Sequence, residues 1–189
     1  MKKEPTITAL LDANTLYPAP VRDLLLHLAD VGLFFPKWTE QIHDEWMRNL
    51  LLNRPELQLK NLNAAKRAMN SAFPDADVKN FHSLIEKIQL PDADDRHILA
   101  AAIHAKADFI ITANLKHFPQ KYMATFFIQA FHPDNFVAQL FHQNSDVVLR
   151  AFNKQVANLK HPPMTREEVL HGLEKCGLKK TVGLLRSAG

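Results

Sequence analysis

The chain has 189 residues, 47% of them hydrophobic, with one cysteine, five glycines and a formal net charge of +3 at pH 7; that is enough apolar material for one well-buried core and a small appendage. Cys176 stands alone, which excludes an internal disulfide and a cysteine-rich zinc site, and the scarcity of glycine argues against Walker or Rossmann phosphate loops. Apolar runs such as residues 21–28, interrupted by Asp23 and His27, are too short to span a bilayer.

Residues 6–11 predict a short buried strand, because their apolar side chains run up to Asp12 and the Asp-Ala-Asn that follows suits a strand-to-helix turn. Residues 18–31 predict a helix with Val21, Leu24, Leu25 and Leu28 on one face, closed by Gly32. A second strand is expected over residues 33–35, ended by Pro36. Thr39 can cap a helix running to about Asn53, with Pro55 just beyond. Two further helices are expected over residues 57–71 and 78–88. Asp92 is placed to cap the helix carrying Ile98, Leu99, Ala101, Ala102 and Ala105, and strands are expected over residues 109–112 and 126–130. This alternation predicts the α/β class, a parallel central sheet flanked by helices on both faces. From His132 onward the strand signal disappears, and helices are expected over residues 134–142, 145–159, 166–175 and 179–187, with breaks at His161-Pro162-Pro163 and Gly177. The helical extension begins near residue 132 or near Pro162.

Three acids stand where buried elements meet solvent. Asp12 ends the first strand and Asn114 follows the third, so both should reach the carboxyl rim of the sheet, where ligands collect. Asp12 and Asn14 also suit a turn or a helix cap, and Asn14 is read as a support that caps the next helix or orients Asp12. Glu45 shares a helix face with Ile42, Trp46, Asn49 and Leu50, whereas Asp44 groups with Gln41 and Arg48. An acid on an apolar face needs either a metal or a basic partner such as Arg48. If Asp92 caps its helix, Asp95 is the third helical residue and lines up with Ile98, Leu99 and Ala102; Asp94 could take its place, and all three acids suit a helix start. Thr112 and Asn114 add a hydroxyl and an amide at the rim. Converging carboxylates without histidine or cysteine ligands favour Mg²⁺ or Mn²⁺ and metal-assisted phosphodiester chemistry. The ten histidines have no metalloprotease or deaminase spacing; His97 and His104 are expected on a polar surface, and His117, just past Asn114, could approach a scissile phosphate but is read as a loop histidine without catalytic consequence.

The segments Leu10-Leu11-Asp12-Ala13-Asn14, Glu45-Trp46-Met47-Arg48, Asp92-Ala93-Asp94-Asp95-Arg96-His97-Ile98-Leu99 and Ile111-Thr112-Ala113-Asn114, in that order and at those intervals, resemble a PIN domain over about residues 5–130. Within that family the chain is similar to the VapC-type toxins of bacterial toxin–antitoxin pairs, including those with an added carboxy-terminal helical segment. The resemblance implies a PIN-like nuclease domain over residues 1–131 followed by a helical extension over residues 132–189. It also implies a Mg²⁺- or Mn²⁺-dependent endoribonuclease acting on RNA through a metal-activated water, and restrained by a cognate antitoxin. Asp12, Glu45 and Asp95 match the metal-binding acids. Asn114 falls where many relatives carry a fourth acid, a departure that bears on a second metal. Thr112 matches a supporting hydroxyl, and Arg48 fits a position that pairs with an acid or with substrate.

The resemblance also implies frequent homodimers, for which the apolar runs at residues 50–52 and 126–127 are candidate contacts. The Met-Lys-Lys start carries no signal-type apolar stretch, so no membrane association is expected and the cytoplasm is the expected compartment. From Arg150 onward the cations Arg150, Lys154, Lys160, Arg166, Lys175, Lys179, Lys180 and Arg186 face only Glu167, Glu168 and Glu174. That imbalance suits a phosphate-attracting surface, and equally a solvated helical one. Two other readings compete. An aspartate-dependent phosphatase would use Asp12 as nucleophile, but its threonine strand should precede the Asp-Asp pair, and here Thr112 follows Asp94-Asp95. A non-enzymatic nucleic-acid-binding regulator would use residues 165–187 as a helix-turn-helix, although helix pairs of that size also serve as packing lids.

Overall fold

Ala9, Leu10 and Leu11 point alternately to opposite sides of their strand, yet all three are fully buried, so both faces of the sheet they build are covered. In the computed structural model, which describes residues 7–188, this strand β1 (Thr8–Leu11) lies at the centre of a parallel four-stranded sheet with β2 (Phe35–Lys37), β3 (Phe109–Ile111) and β4 (Gln129–Phe131), in the order β2-β1-β3-β4. Leu11 pairs in register with Ile111, which brings the carboxyl ends of β1 and β3 side by side. The expected start of β1 at Thr6 lies outside the described residues.

Helices α1 (Ala13–Leu16), α2 (Ala19–Asp30), α3 (Glu40–Asn53), α4 (Leu59–Ala72), α5 (Arg96–His104) and α6 (Gln120–Met123) are distributed among the strands. Helices α7 (Pro133–Gln143), α8 (Ser145–Asn158), α9 (Arg166–Lys175) and α10 (Lys179–Ser187) follow the last strand. Thr39 caps α3 as expected, its hydroxyl accepting the Ile42 N–H at 3.1 Å. Among the described residues no helix is long and apolar enough to cross a membrane.

Four expected elements differ, one of them the strand expected over residues 126–130, which is β4 from Gln129 because Ala124–Phe126 form a 3₁₀ segment and Phe127 takes φ +58°. Gly32, at φ +81°, closes the end of α2 with Leu33 N–H bonded to Leu28, so β2 begins only at Phe35 and contains Pro36 instead of ending before it. An edge strand tolerates the missing donor. Residues 78–88 are not one helix. Val78 and Ala76 bond to the backbone of Trp38, Asn80 takes φ +61°, and only a 3₁₀ segment, His82–Lys87, remains. Helix α5 starts one turn later than expected: Asp95, not Asp92, is its N-cap, and the Asp92 carboxylate instead accepts the Asp94 N–H at 3.0 Å.

The C-terminal helices share the core of the sheet domain. Phe136 of α7 meets Phe34 edge-on at 5.1 Å between ring centres and Phe109 at 5.9 Å, and the Gln155 amide donates to the Pro20 carbonyl at 3.1 Å. The buried Asp134 carboxylate caps α10, accepting the Lys180 and Thr181 N–H groups at 3.0 and 2.8 Å. Several of the tail cations are tied inward: Lys154 to Asp30, Arg166 to Asn153 and the Leu185 carbonyl, Lys180 to Asn135, Arg186 to Glu167 and Glu174. Among the described residues Arg150, Lys160, Lys175 and Lys179 make no such side-chain contact. With Val169, Leu170, Leu173, Val182 and Leu185 buried, α9 and α10 act first as packing elements.

Candidate metal centre

The end of β1 is fixed to the end of β3 by a closed hydrogen-bond network. The Asp12 N–H continues the ladder to the Ile111 carbonyl at 3.0 Å, and its side chain then caps α1, Oδ1 accepting the Ala13 N–H at 2.6 Å. Oδ2 accepts from the Thr112 hydroxyl at 2.7 Å and from the Asn14 amide at 2.5 Å. Asn14 in turn donates to Thr112 Oγ1 at 3.0 Å and accepts the Ala113 N–H at 2.9 Å, while the Asn114 N–H donates to Thr112 Oγ1 at 3.0 Å. Asn14 and Thr112 therefore hold Asp12, the part the sequence assigned to Asn14. Both oxygens of Asp12 are engaged, which ill suits it as the nucleophile of a phosphatase.

Glu45 reaches the same place from α3, whose Ile42 and Trp46 are buried against the core. Its Oε1 accepts from the Gln41 amide at 3.2 Å and lies 3.1 Å from His97 Nε2. Among the described residues no lysine or arginine pairs with Glu45; Arg48, one turn later, lines the same cavity and also lacks an ionic partner. Asp95, at the start of α5, has its Oδ2 at 2.6 Å from His117 Nδ1, and Asp92 lies 3.6 Å from the same nitrogen. Ligand atoms of Asp92, Asp95 and His117 all fall within 4.8 Å of one another.

One polar cavity of about 560 Å³ is lined by Asp12, Asn14, Glu45, Arg48, Asp94, Asp95, His97 and Asn114 among others, with Asp92 and His117 behind Asp95 and outside its lining. Thus every acid and support singled out in the sequence reaches the cavity except Thr112, which lies buried beneath it against Asp12. The electrostatics follow from the crowding. Burial pushes the Asp12 carboxyl up to about 6, and the charges of Asp95 and Glu45 add to the rise, against the lowering effect of the hydrogen bonds from Thr112 and Ala13. Burial also raises Asp95, opposed by its contact with His117. Asp94, by contrast, is exposed at the cavity mouth.

A divalent cation fits this donor set. The acids offer hard oxygens, Glu45 Oε2 and Asp95 Oδ1 accept no hydrogen bond among the described residues, and burial together with the charges of Asp95 and Glu45 disfavours the ionised Asp12, a penalty that a bound cation would offset. Two residues of the site were misjudged from the sequence. His97 is buried on Glu45, not on a polar surface, and His117 is bonded to Asp95, not idle in a loop. The position of His117 three residues past Asn114, at the same rim, was the available signal.

Comparison with known proteins gives two family matches and one curated relative. The family described as "PIN domain" matches residues 8–116, and the one described as "VapC50 C-terminal domain" matches residues 133–187. A curated protein of Mycobacterium tuberculosis (strain ATCC 25618 / H37Rv), named "Putative ribonuclease VapC50", is 35% identical over 79 residues, which are 42% of this chain and 47% of that protein. The similarity therefore spans about half the length of that relative. No solved structure matches.

Proposed function

Because the chain belongs to the PIN domain family, we propose that it is a metal-dependent endoribonuclease, the toxin of a VapBC-type pair, hydrolysing RNA phosphodiester bonds. The observation that carries this reading is the convergence of Asp12, Glu45 and Asp95, from three remote segments, on one cavity in which the Asp12 carboxyl is pushed up to about 6. In this reading the three acids hold Mg²⁺ or Mn²⁺. The bound ion supplies a water of lowered pKa and a counter-charge for the phosphorane.

The protein's own contribution is positional. Thr112 and Asn14 fix Asp12 through Oδ2, and His117 holds one oxygen of Asp95, which leaves the second lone pair of Asp12 Oδ1, Asp95 Oδ1 and Glu45 Oε2 for a cation. Arg48, without an acidic partner among the described residues, is available to the phosphate groups of RNA, and the Asn114 amide provides a neutral donor where a fourth acid would add charge. Asp94 at the mouth is a support and not a principal ligand.

The functional division falls near residue 132, with nuclease chemistry before it and a helical extension after it. An antitoxin polypeptide restrains the enzyme in the cytoplasm. Exposed Phe127 and Leu52 are candidate points of self-contact. The test is cleavage of a structured RNA by the purified chain. Activity should require Mg²⁺ or Mn²⁺, vanish with EDTA, and vanish in Asp12→Asn and Asp95→Asn with the circular dichroism spectrum retained. Full activity in either variant would refute the assignment.

A further inference from the structure

Like Asp12, held by Thr112, and Asp95, held by His117, Glu45 is gripped from a segment distant in sequence, here by His97 of α5. Helix α3 packs on α1 and α4, not closely on α5, so backbone packing alone does not fix Glu45 relative to Asp95. The side chain has three rotatable bonds, and its neighbour Gln41 is itself exposed. The rigid contact is His97, which is 4% exposed and sits in the first turn of α5, two residues after Asp95. One turn of helix thus carries both an acid and the imidazole that grips the other acid.

Because the acceptor is a carboxylate, the hydrogen of the imidazole lies on Nε2, 3.1 Å from Glu45 Oε1. The other ring nitrogen, Nδ1, is buried and has no hydrogen-bond partner among the described residues. A polar atom abandoned in this way opposes folding, and an apolar side chain would fill the position without that cost. What the imidazole contributes is therefore its Nε2 contact. We propose that His97 is a positioning residue: with Gln41 it occupies Oε1 of Glu45, fixes the carboxylate in one rotamer, and leaves Oε2 turned to the metal. This inference rests on the metal-dependent ribonuclease reading above.

The experiment is Mn²⁺ binding to the full chain without RNA, followed by electron paramagnetic resonance of the free ion, in wild type, His97→Phe, His97→Gln and His97→Asn. Loss of an outer partner of a metal ligand weakens affinity about 10–100-fold. His97→Phe, which keeps a ring but has no donor, should bind Mn²⁺ at least about tenfold more weakly. His97→Gln, whose amide can reach Glu45, should recover most of that loss, and the shorter His97→Asn should not. Should His97→Phe fail to fold, the comparison of Gln with Asn decides, since both are amides and only one has the reach. Equal affinities across the folded variants, even with lowered melting temperatures, would mean that His97 only packs and would overturn the inference. If wild type fails to bind Mn²⁺, or Asp12→Asn binds it as well as wild type, the site assignment itself falls, a result distinct from failure of the His97 variants alone.

Discussion

The metal-free protein should become more stable when its principal acid is neutralised. The Asp12 carboxyl is raised to about 6 from an ordinary 3.8, and a tenfold change in proton affinity corresponds to about 1.4 kcal/mol. Well below pH 4 the carboxyl is protonated in both folded and unfolded chains and contributes nothing. Between about pH 4 and about pH 6 the unfolded chain ionises first, so folded stability falls as pH rises, and above that window the full deficit of about 3 kcal/mol remains. Asp12→Asn removes the charge. The Asn oxygen can still accept the Ala13 N–H, but its amide faces the Thr112 hydroxyl and the Asn14 amide, which both lose their acceptor, at a cost of about 1–2 kcal/mol. The net expectation at pH 7.5 in EDTA is a gain of about 1–2 kcal/mol, or roughly 2–8 °C in melting temperature for a chain of this size. Thermal melts of both proteins at pH 7.5, 6 and 4.5 measure it directly. The difference should shrink toward pH 4.5, and saturating Mg²⁺ should raise wild type but not the variant. A variant that melts at or below the wild-type temperature at pH 7.5, with no change in the difference across pH, would refute the reasoning.

Three further outcomes are expected. His117→Ala removes the group that holds the Asp95 carboxyl down, so the acid limb of the pH–rate profile should move to higher pH; an unmoved limb in a folded variant would contradict the role given to His117. Thr112→Val deletes a buried hydroxyl that serves Asp12, Asn14 and Asn114, and should cost about 1–3 kcal/mol of stability in denaturant titrations together with at least about tenfold in cleavage rate. Asn114→Asp adds a fourth acid to the cavity, and calorimetric titration should find tighter Mn²⁺ binding alongside lower stability of the metal-free form; weaker binding would count against a cation at this rim.

The parts of the site carried by strand ends were legible because a buried parallel strand has few alternatives: Ala9-Leu10-Leu11 can only be central, and the residue after it must lie at the rim. Glu45 was legible from helix periodicity, since α3 has one buried side and one exposed side. Periodicity failed at His97 for a physical reason. Residues 97–102 are all buried, so the first half of α5 is enclosed on every side and no polar face exists to assign. The same segment misled at its start, because Asp92, Asp94 and Asp95 all suit a helix N-terminus and only the fold determines which one caps. At residues 78–88 the spacing of Val78, Phe81, Leu84, Ile85 and Ile88 imitates a helix, but the backbone bonds of Val78 and Ala76 are taken by Trp38. Pairings across some 40 residues of sequence leave no local mark. The extra helices after His132 were read almost to the residue, whereas their sharing of one core with the sheet, through Phe136 and Gln155, was not visible before the structure.

The central claim is that Asp12, Glu45 and Asp95 form a cage for one divalent cation. Crystals of the chain soaked in Mn²⁺ and measured at a wavelength where manganese scatters anomalously test it most directly. The account expects an anomalous peak within about 2.0–2.4 Å of oxygens from all three acids, lost in Asp12→Asn. A peak bound elsewhere, or no peak at these acids at saturating Mn²⁺, would contradict it.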